Sequence, residues 1–475
     1  MRFQNLKIYH MRKQISAGLC VIVVMFFVSC QKSVDDNTPD QPPVDSTNNP
    51  TPEDLVKDTV LLIAKDIYLW NTQIPSTFDA RSYADPVAEM IAIRQYSHET
   101  GFTDPVDRFS FAIKQADWDK LSNGVEEDFG MSIFFNTPTD LRVKYAESAS
   151  PSGVAGIKRG WQILKVNGNA QIDTTAATID RIVNAVFYSS NSSFTFKKPD
   201  GSIVDISLTA ATYQTHPIFA DSVYYNVNNK NVGYLALNSF LGDTTEIYNQ
   251  FSSIFSNFQA QNVSEVIIDL RYNGGGYVSM AERLANYLVP SAGNNQVMYK
   301  ETFNANYSSY NSTELYGKLG GLNIDKVFFI VSDNTASASE LLINALKPFV
   351  DEALVGPAYN TYGKPVGFFP IGVGDWYTFP ISFKTVNKDG NGDYFNGFTI
   401  DHPTADGLDK DWGDVDENCL YSVLTYIKTG AYGFVHNGSM NISGATANIN
   451  MRSVNKTLEP KTFKGAIGKG KGSVI

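Results

Sequence analysis

The chain has 475 residues, 43% of them hydrophobic, and a formal net charge of −11 at pH 7. That supplies apolar material for a large core and more than one domain, and the acidic balance, without a long basic stripe, excludes nucleic acid as a partner. Only three cysteines occur, Cys20, Cys30 and Cys419, which excludes a disulfide framework or a cysteine metal cluster.

The N-terminus reads as an address. Arg12 and Lys13 precede an apolar run from Leu19 to Val28, followed by Ser29 and Cys30. A positive region before a short apolar run is the pattern of a secretory signal. Phe27-Val-Ser-Cys30 resembles a bacterial lipobox, which implies cleavage before Cys30 and lipidation of its thiol. An ordinary signal peptide or a signal anchor is the alternative; the run is short for a membrane span. Residues 1–30 are thus expected to be a lipoprotein signal, placing the chain in a bacterial cell envelope with a lipid anchor as its membrane contact. Residues 31–53 are polar, acidic and proline-rich, as in a disordered tether.

Folded structure is expected from residue 54. Apolar residues at helical spacing, Leu55, Leu62, Ile67 and Trp70, predict one helix, and Val87–Tyr96 a second; together they suggest a small helical domain over 54–125. Residues 126–212 alternate short strand-like runs (131–135, 141–145, 163–166, 193–196, 204–208) with glycines, and one helix is expected over 176–187. This is a compact β-rich domain. Over 213–432 strands at 232–237, 266–270 and 327–331 alternate with helices at 244–260, 279–288 and after Ser337. Such alternation predicts βαβ units and a mainly parallel, buried sheet, so the fold class is α+β with several domains. From 433 to 475 the chain is rich in Asn, Ser and Gly, locally basic near its end, and shows no core pattern; it reads as a mobile polar tail.

Two segments could carry chemistry. Asp269-Leu-Arg-Tyr-Asn-Gly-Gly-Gly276 follows a buried strand, and its glycines allow a tight turn and close backbone approach to a ligand. Its N–H groups could stabilise an oxyanion; a plain β–α turn is the competing reading. The second segment is Thr335-Ala-Ser-Ala-Ser-Glu340, between an apolar strand and a helical pattern. Ser337 should therefore sit at a helix N-terminus, where N–H groups favour negative charge. Ser337 and Glu340 also fit a capping box, and Glu340 could alternatively orient a catalytic partner. Downstream, Lys364 in Thr-Tyr-Gly-Lys could serve as a base only if burial or a nearby cation lowers its pKa. Ser–Lys pairs are a known variant of the Ser-His-Asp arrangement.

These segments, in this order, resemble the C-terminal processing peptidases (tail-specific proteases) of serine peptidase family 41. The resemblance implies Ser337 as nucleophile, Lys364 as general base, and an oxyanion hole from the N–H of Ala338 with that of Gly275 or Gly276. It implies a ClpP/crotonase-like peptidase domain over 213–432, a polypeptide substrate, and no metal or organic cofactor. Ser150-Pro-Ser-Gly-Val-Ala-Gly-Ile-Lys-Arg-Gly160 and Ile163-Leu-Lys-Val-Asn-Gly168 resemble the core of a PDZ domain, assigned to 126–212. Phe129, Gly130 and Met131 would be its carboxylate-binding loop, capturing a peptide C-terminus by strand addition. Oligomeric state is not legible.

The chain departs from the family pattern in several places. Many members continue Gly-Lys-Gly-x-x-Gln, whose glutamine orients the lysine; here Pro365-Val-Gly-Phe368 follows. Lys364 follows Ser337 by 27 residues (364 − 337), a longer interval than many members have. Pro348 stands where some carry an acidic residue, and Trp161 replaces a usual aspartate. A Ser337–His402 pair with Asp401 or Asp406 is a further possibility, and a peptide-binding lipoprotein with a degenerate peptidase domain is the alternative function.

Overall fold

Six strands build the central sheet, in the order His402–Pro403, Asp351–Gly356, Lys326–Ile330, Val263–Asp269, Lys230–Leu237 and Ile218–Val227. Neighbours run parallel except the last pair, which is antiparallel. Side chains alternate across a strand, and both faces here are apolar. Leu235, Val266, Ile268, Val327 and Phe329 face one core, together with the helices Thr244–Ala260, Val278–Leu288 and Ala338–Leu346. Tyr234, Ile267, Phe328 and Ile330 face the other, under the helix Asn418–Thr429. The near-continuous Val/Ile/Phe runs are therefore what a sheet covered on both faces requires. The computed structural model describes residues 49–433, 454–455, 457–458 and 463–468; the signal, Cys30 and most of the tether lie outside them. Residues 50–475 form one unit by their contacts.

The expected parallel sheet and helices over 213–432 are present, with ends shifted by a few residues. The β-rich segment is a five-stranded antiparallel sheet of Met131–Thr137, Asp140–Ala146, Gln162–Val166, Asn191–Lys197 and Ile203–Thr209, in sequence order. It has its own core around Phe129, Phe135, Val143, Ile182 and Phe196. The helix Ala176–Val183 continues as a π-turn over Asn184–Tyr188, which accounts for the longer helix expected from the pattern.

Residues 54–125 behave differently from a free-standing helical domain. Their helices Pro52–Ile67 and Pro86–Ile93 are present. However, Val60, Ile63, Met90 and Phe109 share one core with Phe303, Phe368, Phe379 and Ile467. The strand Phe111–Lys114 also pairs with Trp376–Phe379. Sequence periodicity reports which face of a helix is apolar but not what covers it. The tail differs too: Gly465–Ile467 forms a strand with three buried residues, although its composition carries no core pattern. Three residues are too few for a period.

A buried ionic cluster fixes the carboxyl end of the sheet. The Arg271 guanidinium, 1% exposed, donates to Asp269 at 2.6 Å, to Glu417 at 2.7 Å and to Asp406 at 2.8 Å. Arg159, from the five-stranded module, also bonds Asp406. Burial would raise the Asp406 carboxyl; Arg159 and Arg271 instead hold it well below the usual carboxylate range. Replacing Arg271 by Ala would leave three buried carboxylates short of their cation. We expect a loss of about 3–5 kcal/mol, read as a lowered urea midpoint.

Candidate active site

After the strand Lys326–Ile330 the chain enters a loop laced to the glycine segment. Thr335 Oγ1 donates to the Leu270 carbonyl at 2.8 Å, Ala336 N–H to the Asn273 carbonyl at 3.1 Å, and Ser339 Oγ to the same carbonyl at 3.1 Å. These bonds place Ser337 at the N-cap of the helix Ala338–Leu346 with φ +62° and ψ −111°. Among the described residues, every other non-glycine residue at positive φ is an asparagine. A serine held there stores roughly 1–3 kcal/mol of backbone strain. Ser337 is 1% exposed and its Oγ has no hydrogen-bond partner.

Ser337 and Glu340 occupy capping-box positions, and Ser337 N–H donates to Glu340 Oε2 at 2.9 Å. The glutamate does more than cap. Its Oε2 also accepts from Lys364 N–H at 2.8 Å, and its Oε1 accepts from Gly363 N–H at 2.7 Å and Thr361 Oγ1 at 2.6 Å. One buried carboxylate thus ties the Ser337 segment to the Lys364 segment. Burial raises the Glu340 pKa, opposed by its four hydrogen bonds. With four donors around it and no acceptor, the anion is the form that satisfies every partner.

Lys364 is 1% exposed. Its Nζ lies 3.9 Å from the Phe368 ring centroid and 5.0 Å from that of Phe109. Phe368 stands at the place of the missing glutamine, so a ring face replaces an amide beside the ammonium. Burial drives the Lys364 pKa well below the ordinary lysine value. Nζ donates to the Lys464 carbonyl at 3.0 Å and makes no hydrogen bond to Ser337 Oγ. Arg108 donates to the Tyr362, Gly363 and Phe395 carbonyls at 3.1–3.2 Å, pinning the lysine loop. Sequence reasoning missed Arg108, which carries no local signal; Thr361 was in view as the first residue of Thr-Tyr-Gly-Lys.

The glycine segment runs beside Ser337. Gly275 N–H donates to Asn273 Oδ1 at 2.9 Å, so that donor is already engaged. A Cβ on Gly275, at φ +103°, would come within 3.0 Å of both Ala336 O and Ala338 N, so a side chain there would crowd the Ser337 turn. The loop Phe129–Met131 begins the five-stranded module. Phe129 and Met131 are buried, and Gly130 N–H donates to Asp128 Oδ1 at 2.6 Å. With that donor engaged and Asp128 and Glu147 adjoining, the loop as it stands does not offer Gly130 to a carboxylate. The alternative pair is engaged elsewhere: His402 stacks on Tyr432 with centroids 4.1 Å apart, and Asp406 belongs to the arginine cluster.

Two substitutions test this geometry by stability alone. Ser337→Gly relieves the positive φ and removes a buried unpaired hydroxyl, and should stabilise by about 1–2 kcal/mol. Glu340→Gln turns an amide donor toward other donors and should cost about 2–4 kcal/mol. Both are read from denaturant midpoints.

Comparison with known proteins places the segment that carries these residues beside a known family. The model of peptidase family S41 matches residues 231–391. A carboxy-terminal processing protease of Bacillus subtilis, CtpB, is 25% identical over 246 residues, which cover 51% of this chain and 48% of that protein. A CtpA-like serine protease of Staphylococcus aureus is 25% identical over 263 residues, covering 55% of this chain and 49% of its own. The chain thus spans about half the length of the curated relatives it matches. A crystal structure assigned to the S41 proteases, from Bacteroides fragilis, shares the fold with a TM-score of 0.63 at 20% identity, covering 84% of this chain and 99% of that one. Residues 231–391 therefore match peptidase family S41, and the chain is similar to C-terminal processing serine proteases over about half its length.

Proposed function

We propose that the chain is a serine endopeptidase that uses Ser337 as nucleophile and Lys364 as general base. The observation that carries this reading is the Glu340 carboxylate, which holds a strained serine with an unpaired Oγ and a buried lysine of lowered pKa on one frame. Neutral Lys364 takes the Ser337 proton as Oγ attacks the scissile carbonyl. The oxyanion forms against the Ala338 and Gly276 N–H groups at the start of a helix, where negative charge is favoured. The lysine ammonium then gives its proton to the leaving amine, and water resolves the acyl-enzyme. No metal or organic cofactor enters these steps.

The five-stranded module is proposed, by its resemblance to a PDZ domain, to hold the substrate polypeptide as an added strand. Capture of a free C-terminal carboxylate would require Gly130 to leave Asp128. Together with the lipobox at Cys30, this gives a lipid-anchored peptidase of the bacterial envelope acting on unfolded polypeptides. A second reading, a peptide-binding lipoprotein without turnover, is favoured by the absence of a Ser337–Lys364 hydrogen bond.

The test uses the chain from residue 50 and an unfolded protein with an apolar C-terminus. Wild type should cleave, and Ser337→Ala and Lys364→Ala should each lose at least about a hundredfold in kcat/KM, the usual scale of a general base. Cleavage by Lys364→Ala at the wild-type rate would refute the Ser–Lys mechanism. Binding without cleavage would favour the second reading. The base must be neutral, so kcat/KM should rise with pH through the Lys364 pKa and level off well below pH 10.4, the ordinary lysine value.

A further inference from the structure

The chain's own C-terminal segment lies in the cleft just described. Gly465–Ile467 pairs in parallel with Gly275–Tyr277, in the register Gly465 to Gly275. Gly465 N–H donates to the Gly274 carbonyl at 3.0 Å. On its other side Phe368 N–H donates to the Ala466 carbonyl at 3.0 Å, and Gly468 N–H to the Phe368 carbonyl at 2.9 Å. The segment is thus bonded on both edges, as an added strand should be.

Its position over the candidate chemistry is specific. A Cβ on Gly275 would collide with the Gly465 carbonyl oxygen while lying 3.0 Å from Ala338 N. The Gly465 carbonyl oxygen and the Ala338 nitrogen thus both border the Gly275 turn, which places the strand beside the start of the Ser337 helix. The next carbonyl upstream, of Lys464, takes the Lys364 ammonium at 3.0 Å, and Ser337 Oγ is left unpaired. Lys364 thus bonds the strand and not the serine, an arrangement that occupies the cleft without reacting.

The same tail also meets the five-stranded module. Asn455 Oδ1 accepts from Phe135 N–H at 2.9 Å, and its Nδ2 donates to the Phe135 carbonyl at 3.1 Å. These are backbone groups of Met131–Thr137, an edge strand of that sheet. Leu458 is fully buried in the module's core. One segment therefore touches the proposed peptide-holding edge and then, a few residues on, the candidate catalytic cleft.

We infer that residues 463–468 are a cis-acting pseudosubstrate, and that their seating in the cleft defines the peptide class it takes: an extended strand reading aromatic, any, glycine, small, aliphatic. This rests on the reading of the Ser337–Lys364 cleft as a peptidase site. The Phe463 ring packs against Trp118 with centroids 5.6 Å apart. A Cβ on Gly465 would come within 2.7 Å of the Phe368 ring and closer still to that of Phe463, so this position selects glycine. Ala466 and Ile467 are 5% and 4% exposed, which leaves room for a small and then an aliphatic side chain.

The experiment compares the chain from residue 50 with its Gly465→Trp and Ala466→Asp variants, both of which should unseat the tail. One readout is the rate of Ser337 labelling by a fluorophosphonate. The other is binding of a fluorescent peptide Phe-Lys-Gly-Ala-Ile-Gly, followed by anisotropy in a Ser337→Ala background, which needs no catalysis. A tethered segment meets its site at an effective concentration on the order of 1 mM, so a peptide with Kd about 100 μM would hold labelling about tenfold below that of the unseated variants. The expected result is faster labelling of both variants, slowed again by added peptide, with peptide binding confined to the variants. Labelling that proceeds at one rate in wild type and variants, or peptide binding to none of them or to all alike, overturns the inference. Peptide binding confined to the variants with no labelling anywhere supports the pseudosubstrate and refutes the peptidase reading.

Discussion

One carboxylate organises the site. Glu340 is fully buried, so its charge must be met in full by the protein, and the four donors that meet it come from the Ser337 turn and the Thr361–Lys364 loop. The two segments lie on different strand ends of the parallel sheet, and nothing in local propensity would bring them together. The desolvation of one anion does so, because opening either segment strands the other against an unsatisfied charge. The helix start, the strained serine and the buried lysine all follow from that one demand.

Much of the central sheet was legible in the sequence, and the reason is physical. Val266-Ile-Ile and Val327-Phe-Phe-Ile are buried on both faces, and no surface strand would carry such runs. Ser337, Lys364 and the glycine segment were legible through their residue types and their order. What escaped was long-range. Arg108 reaches the lysine loop from more than 250 residues away in sequence, and its own neighbourhood gives no hint of that. Glu340 was visible as a cap, because capping is a three-residue relation; its bonds to Thr361, Gly363 and Lys364 depend on tertiary folding. The strand at Gly465–Ile467 escaped because Phe-Lys-Gly-Ala-Ile has no periodicity, and its pairing comes from edges that other strands provide.

The glycines of 274–276 illustrate how one composition serves two needs. They let the chain turn sharply at the end of a parallel strand, and they leave a bare backbone edge on which a strand can lie. The tail uses that edge and the facing edge at Phe368, so the cleft is a gap in a sheet and becomes continuous when a peptide fills it. The arginine cluster behind Asp269 anchors the strand end from which that edge leaves.

Lys364 draws its surroundings from both ends of the chain. Phe368 belongs to the stretch matched by the family, but Phe109 and Arg108 come from the N-terminal segment. The low dielectric that lowers this lysine's pKa is therefore a joint product of parts that a domain diagram draws separately. Cut along the family boundary, the matched segment would keep Ser337 and Lys364 yet lose part of the dry wall around the lysine; the unit that sets this environment is larger than the unit of homology.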